Sequence, residues 1–181
     1  MVLKIGQRPD HGFDQPLRLL SDCHRRIEHF LEVLRVITKH ANGGALDESE
    51  RAQLQGALDY FATAAPRHTA DEEESLFPRL AASGDAEARH ALELINRLED
   101  DHAKAALHHE AVDVLVRRWI ADGSLSRADV QDLIGRLDRL AALYGAHIAV
   151  EDQDVFPAAG RVLSADDVQA IGREMAARRK T

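Results

Sequence analysis

His68 and Glu72 stand four residues apart in the stretch RHTADEEESLFPRL, Arg67 to Leu80. On a helix, residues at that spacing lie one above the other on the same face. An imidazole and a carboxylate so placed can grip one metal ion together. The spacing is common, and a second copy gives it weight: HIAVEDQDVFP, His147 to Pro157. At an offset of 79 both copies read H-x-A-x-E-acid-x-x-aliphatic-F-P. The matched residues are His68/His147, Ala70/Ala149, Glu72/Glu151, Glu73/Asp152, Leu76/Val155, Phe77/Phe156 and Pro78/Pro157. An amphipathic helix alone does not demand this agreement.

The duplication extends to two lone histidines. His24 and His102 differ by 78 positions, and each follows an aspartate by two residues, Asp22 and Asp100. The candidate metal ligands are therefore His24, His68, Glu72, His102, His147 and Glu151. Imidazoles and carboxylates are hard-to-borderline donors that suit iron, manganese or zinc. A carboxylate can bridge two ions, which leaves two imidazoles for each and coordination positions open for an exogenous ligand. A dinuclear site follows more naturally than a single ion.

Each of these residues has a plainer reading. A lone histidine on an inner helix face is more commonly packed and hydrogen-bonded. Asp71-Glu72-Glu73-Glu74 is a charge run that suits a solvated face. The register singles out Glu72, because Glu151 holds the matching place, and leaves Glu73 as a substitute ligand. Glu28, four residues after His24, is an extra carboxylate whose repeat partner is Ala106. Phe77, Phe156, Leu76 and Val155 read as packing that also keeps water from the site. His29, His40, His90, His108 and His109 read as surface or helix-end residues. Tyr60 and Tyr144 read as packing, with hydroxyls available to a nearby site. Cys23 points about 100° away from His24 on a helix and is given no role.

Helices must carry these residues. Residues 1–15 read as an irregular lead-in. A first helix runs from about Pro16 to Ala41, with Leu20, Ile27, Leu31, Leu34 and Ile37 as its apolar stripe, and Asn42-Gly43-Gly44 ends it. A second starts near Asp47, with Glu50 completing a capping box, and continues to about Leu80. Pro66 removes a backbone donor and predicts a bend just before His68. A third runs from about Asp85 to Ala121. A fourth runs from Ser126 to roughly Gly160. A short last helix opens at Ser164 and reaches about Arg179. The fold class is all-α: an antiparallel up-down four-helix bundle with an additional short C-terminal helix. We expect one domain over 1–181, with the bundle at about 16–160 and the last helix, about 165–179, packed across one end or presenting a partner surface.

Composition agrees. Aromatics make up only 4% of the chain and β-branched runs are scarce, so strands have little support. The net charge of −8 argues against a nucleic-acid surface, and Arg178-Arg179-Lys180 reads as a solvated helix end. The single cysteine excludes an intramolecular disulfide framework and fits a reducing compartment. Lys4, Arg8, Asp10 and Asp14 interrupt any signal-peptide pattern, and no stretch approaches the roughly 20 apolar residues of a spanning helix. The expectation is a cytoplasmic protein without nucleic-acid or membrane partners. Oligomeric state leaves no signal in the sequence.

The pattern resembles the hemerythrin-like, HHE cation-binding family, as a bacterial single-domain member. The resemblance covers about residues 14–163 and rests on His24, HTADEEESLFP, the EDDH stretch ending at His102, and HIAVEDQDVFP. It implies a four-helix bundle around a non-haem di-iron centre with an oxo or hydroxo bridge, for which zinc or manganese can substitute. By position, His24, His68, His102 and His147 are then terminal ligands, and Glu72 and Glu151 bridging carboxylates. Oxygen-carrying hemerythrins have a second histidine four residues after the third-helix ligand, where this chain has Ala106. The four-histidine, two-carboxylate set is more similar to bacterial iron–sulfur cluster repair proteins and to the hemerythrin-like domain of an iron-sensing ubiquitin-ligase subunit. The repair proteins bear an N-terminal cysteine-containing domain, and this chain has only Cys23. The implied function is binding of, or response to, dioxygen, peroxide or nitric oxide. The alternatives are an enzyme consuming peroxide or nitric oxide, or an iron- or redox-responsive interaction module.

Overall fold

Local signals explain where each helix starts and stops. The computed structural model describes residues 9–180, leaving aside the side chains of Leu92 and Asn96. The first eight residues of the expected lead-in lie outside the described residues. Helix α1 spans Pro16–Ala41, with proline in the first turn, where no intrahelical donor is needed. It closes at Asn42, φ 46°, whose N–H donates to the Thr38 carbonyl. Gly43 follows at φ +77°, and a Cβ there would stand 2.4 Å from Val130 Cγ2, so only glycine fits this turn.

Helix α2, Glu48–Asp71, begins with the expected capping box. Glu50 N–H donates to Asp47 Oδ1 at 2.7 Å, and Asp47 N–H to Glu50 Oε2 at 3.0 Å. The helix runs on through Pro66. Its departure from α geometry comes later, in a π turn at Glu72–Leu76, after which α3 continues over Phe77–Ala82. Helix α4, Ala86–Asp122, is capped by Asp85 and stopped by Gly123. Helix α5, Arg127–Val150, capped by Ser126, ends in a second π turn, Glu151–Val155, and α6 covers Phe156–Val162. Helix α7, Ala165–Arg178, opens with a capping box between Ser164 and Asp167.

The two π turns share one cause. A proline lacks the N–H that would bond the carbonyl four residues back, and its ring crowds that carbonyl. Pro78 and Pro157 each follow a turn widened by one residue, in which Phe77 N–H reaches Glu72 O and Phe156 N–H reaches Glu151 O. The motif's proline therefore reshapes the turn that carries its glutamate.

Helix α1 packs on α2 and α5, and α4 packs on α5, as in the antiparallel bundle expected. The core falls into two apolar clusters. One holds Ile27, Leu34, Leu58, Val116, Trp119 and Leu137. The other holds Leu20, Leu76, Phe77, Leu98, Phe156 and Met175. His24 stands between Leu20 and Ile27 on α1, and His102 follows Leu98 on α4, so the polar layer lies between the clusters. Ile171 and Met175 of α7 are fully buried in the second cluster, which places α7 across that end of the bundle. Truncating either to Ala would cost about 2–5 kcal/mol. The basic ending is not a solvated helix end. Arg178 Nη1 lies 3.0 Å from Asp71 Oδ1 and Arg179 Nη2 lies 2.6 Å from Asp71 Oδ2, with Asp71 fully buried. A buried carboxylate requires such partners, and α7 supplies them. Among the described residues there is no strand, and no helix is long and apolar enough to cross a membrane.

Candidate metal centre

The six residues singled out by spacing converge in the polar layer. Their ligand-type atoms form two groups, His24–His68–Glu72–Glu151 and Glu72–His102–His147–Glu151, with all atoms in each group within 4.8 Å of one another. Each group takes the two histidines of one hairpin, and both carboxylates belong to both groups. His68 Nε2 lies 3.1 Å from Glu72 Oε1, and His147 Nε2 lies 3.1 Å from Glu151 Oε2, the i, i+4 pairing expected on each helix. Across the bundle, His24 Nε2 is 3.1 Å from Glu151 Oε2, and His102 Nε2 is 3.4 Å from Glu72 Oε2. The His24 and His68 rings meet edge-on at 4.9 Å, and those of His102 and His147 lie 4.6 Å apart.

These approaches are close yet lack hydrogen-bond alignment. His24 Nε2 and all four oxygens of Glu72 and Glu151 are buried without a hydrogen-bond partner. Burying a carboxylate with no donor is costly, and the cost is removed by a cation at the point where the oxygens converge. The donor set therefore fits cations better than it fits a self-contained polar core.

The electrostatics agree. Burial alone would lower the pKa of His24, but the carboxylates of Asp152, Glu151 and Glu72 outweigh it and raise it to about 12. For His102, burial again opposes, and Glu72 and Glu73 raise it to about 9. His68, fully enclosed, is shifted down, chiefly by burial. Burial would raise the pKa of Glu72, but His68, His102 and His24 hold it well below the usual carboxylate range. Protons on His24 and His102 thus stand where cation charge would stand.

The acid that follows each glutamate has a role that spacing did not assign. Glu73 is not a substitute ligand. Its Oε1 lies 2.8 Å from His102 Nδ1, on the far side of the ring from the carboxylate layer. Asp152 Oδ1 likewise lies 3.1 Å from His24 Nδ1 and accepts from Ser21 Oγ at 2.8 Å. Each acid orients the lone histidine of the opposite hairpin and presents its Nε2 inward. The match of Glu73 with Asp152 was the signal for this. His147 Nδ1 lies 3.9 Å from Asp101 Oδ2, too far for a hydrogen bond.

The remaining candidates divide. Glu28 and Ala106 are exposed and stand outside both groups, as do His29, His40, His90 and His108. Cys23 is buried, and its backbone carbonyl accepts from the Tyr60 hydroxyl at 3.3 Å. His109 is no surface residue. Its Nε2 lies 2.9 Å from the Tyr144 hydroxyl, its ring stacks on Phe61 at 4.1 Å, and burial pushes its pKa down to about 4. Tyr144 in turn lines a cavity of about 20 Å³ together with the four histidines.

Comparison with known proteins agrees with this geometry. A relative from Haemophilus influenzae (strain ATCC 51907 / DSM 11121 / KW20 / Rd), described as an uncharacterized protein, is 27% identical over 168 residues, covering 93% of this chain and 92% of its own. The hemerythrin HHE cation binding domain family matches residues 15–159, a span that contains all six converging residues. With ligand-type groups from four helices meeting in one buried layer and the family's pattern running through nearly the whole bundle, the chain belongs to the hemerythrin HHE cation-binding domain family.

Proposed function

We propose that the chain is a non-haem di-iron protein that binds or responds to dioxygen, peroxide or nitric oxide. His24 and His68 would hold one iron, His102 and His147 the other, with Glu72 and Glu151 bridging them. The observation that carries this reading is the sharing of both carboxylates by the two ligand groups. A single ion would not call for two histidine pairs on opposite sides of one carboxylate pair. When bound, the irons would supply redox-active Lewis acids with positions open to a small ligand. The chain's own contribution is orientation and exclusion. Glu73 and Asp152 fix two imidazoles from behind, the ring of Phe156 stacks on His24 at 5.3 Å, and the flanking apolar clusters keep bulk water out. A cytoplasmic setting, with a reduced cysteine and available iron, suits this reading, and zinc or manganese would occupy the same donors.

Metal content and the visible spectrum test the proposal, on protein grown with iron and purified without a metal-affinity step. The expected result is two irons per chain and charge-transfer bands that change with dithionite, peroxide or nitric oxide. A normally folded chain holding one zinc, or no metal, overturns it. Catalytic turnover of peroxide or nitric oxide that is lost in His68→Ala would assign the enzymatic form of this reading.

One observation favours a second reading, a cation-responsive interaction module. Helix α7 clasps Asp71 and Ser75, on either side of Glu72. This reading expects hydrogen exchange of α7 to slow on cation loading, and unchanged exchange removes its support.

A further inference from the structure

We propose that Tyr144 is the gate of the cation cavity, and that cations and small ligands reach the buried histidines past its ring from the groove between α1 and α5. The proposal rests on the cation-binding reading above. The inner cavity, about 20 Å³, has room for about one water-sized molecule. Alongside it lies a groove of about 280 Å³, lined by Glu28, Leu31, Glu32, Ala141 and Gly145 among others. Tyr144 belongs to the walls of both.

The internal duplication shows why this ring matters. Besides the four histidines and Ile27, the cavity is lined by two matched pairs at the offset of 79, Thr69 with Ile148 and Ala65 with Tyr144. The first hairpin has a methyl group where the second has a phenol. That phenol is tethered, since its hydroxyl lies 2.9 Å from Nε2 of His109, itself stacked on Phe61. Swinging the ring aside breaks one hydrogen bond and leaves the helices in place, a motion of the kind that gates other buried sites. Outside the ring the barrier is thin, because a Cβ on Gly145 would meet nothing within 4 Å. Arg35 also lines the groove and pairs with Glu32 at 2.9 Å, which leaves the exposed carboxylate of Glu28 to raise the local concentration of cations at the mouth. With the ring in place, the inner volume admits a diatomic molecule and turns away larger anions.

The test uses cobalt(II) alone, whose visible bands report binding, with uptake by the metal-free chain followed in stopped flow and release followed into excess chelator. Final stoichiometry and circular dichroism are read on the same samples. Tyr144→Ala is expected to speed both uptake and release about tenfold at unchanged stoichiometry. Gly145→Leu fills the groove and is expected to slow both, and Tyr144→Phe, which keeps the wall and frees the tether, falls between wild type and Tyr144→Ala. Chains that load normally at rates indifferent to both Tyr144→Ala and Gly145→Leu overturn the gate. Slowing confined to Ala65→Leu overturns it too, and moves the access route to the first hairpin. If Tyr144→Ala misfolds, the Gly145→Leu arm decides. A wild-type chain that takes up no cobalt overturns the reading of the centre and the gate with it, whereas the other failures leave the centre standing.

Discussion

The two π turns, Glu72–Leu76 and Glu151–Val155, carry their glutamates alike and are held in place differently. In the first, Asp71 is buried beneath Arg178 and Arg179, and Ser75 Oγ donates to Glu174 at 2.6 Å. Arg79 adds a bond to the same glutamate at 2.7 Å. The matched positions in the second turn are Val150, Asp154 and Ala158, and Asp154 is exposed. Helix α7 thus braces the first half of the site through these polar bonds. The second half has a polar pair of its own, His109 with Tyr144, whose counterparts Leu31 and Ala65 are apolar. Ligand geometry comes from within each motif, through helix spacing and proline. Rigidity comes from outside it, and is free to differ between halves.

The largest effect should ignore this difference. Because each carboxylate serves both ligand groups, Glu72→Ala and Glu151→Ala should each weaken cation binding at both positions by about 100-fold or more. Metal analysis after dialysis checks this. Retention of one tightly held cation in either variant would break the equivalence of the halves. Next, replacing both Arg178 and Arg179 by Ala leaves Asp71 buried without those partners and should destabilise the chain by about 3 kcal/mol in urea unfolding. Asp154→Ala, on the unbraced turn, should stay within about 0.5 kcal/mol. Hydrogen exchange should then show residues 72–76 loosened to the level of 151–155.

A smaller effect is expected from the orienting acids. Glu73→Gln and Asp152→Asn should each weaken cation binding by about tenfold, as such outer partners commonly do. Isothermal titration of the metal-free variants with cobalt(II) measures it, and unequal losses would reveal which hairpin's lone histidine depends more on its partner. A further effect, on stability and not on binding, concerns acid conditions. The pKa of His109 is pushed from 6.5 to about 4 by burial. Between those values the unfolded chain binds a proton that the folded chain refuses, so stability falls as pH drops through that window. His109→Phe should remove up to about 2 kcal/mol of that acid loss, read from urea midpoints between pH 7 and pH 4. An unchanged pH slope would mean that His109 is protonated in place.

Much of this was legible in sequence for a stated reason. Capping residues act over three positions, so Asp47 with Glu50 and Ser164 with Asp167 announce helix starts locally. The ligand set was legible because it occurs twice in one register. Long-range pairing leaves no such mark. Nothing in the neighbourhood of Arg178 points to Asp71, which lies 107 residues away, so a basic tail looked solvated. His109 looked like a surface residue because its charge type suggested water, whereas its face of α4 meets Phe61 and Tyr144. The π turns had a signal in Pro78 and Pro157, which on spacing alone are matched positions of the repeat with no part of their own.

The crossed reach of Glu73 and Asp152 has a further consequence. Glu73 leaves the first hairpin to steady His102 of the second, and Asp152 returns the favour to His24. A single hairpin of this design would own a lone histidine that it cannot orient and a glutamate with only half its donors. It would become competent only when a second copy supplied the missing acid. The duplicated chain thus reads as a fused dimer. Cut at the Ser83–Gly84 connection, its halves should bind no cobalt(II) apart and bind it when mixed, as the visible spectrum would report.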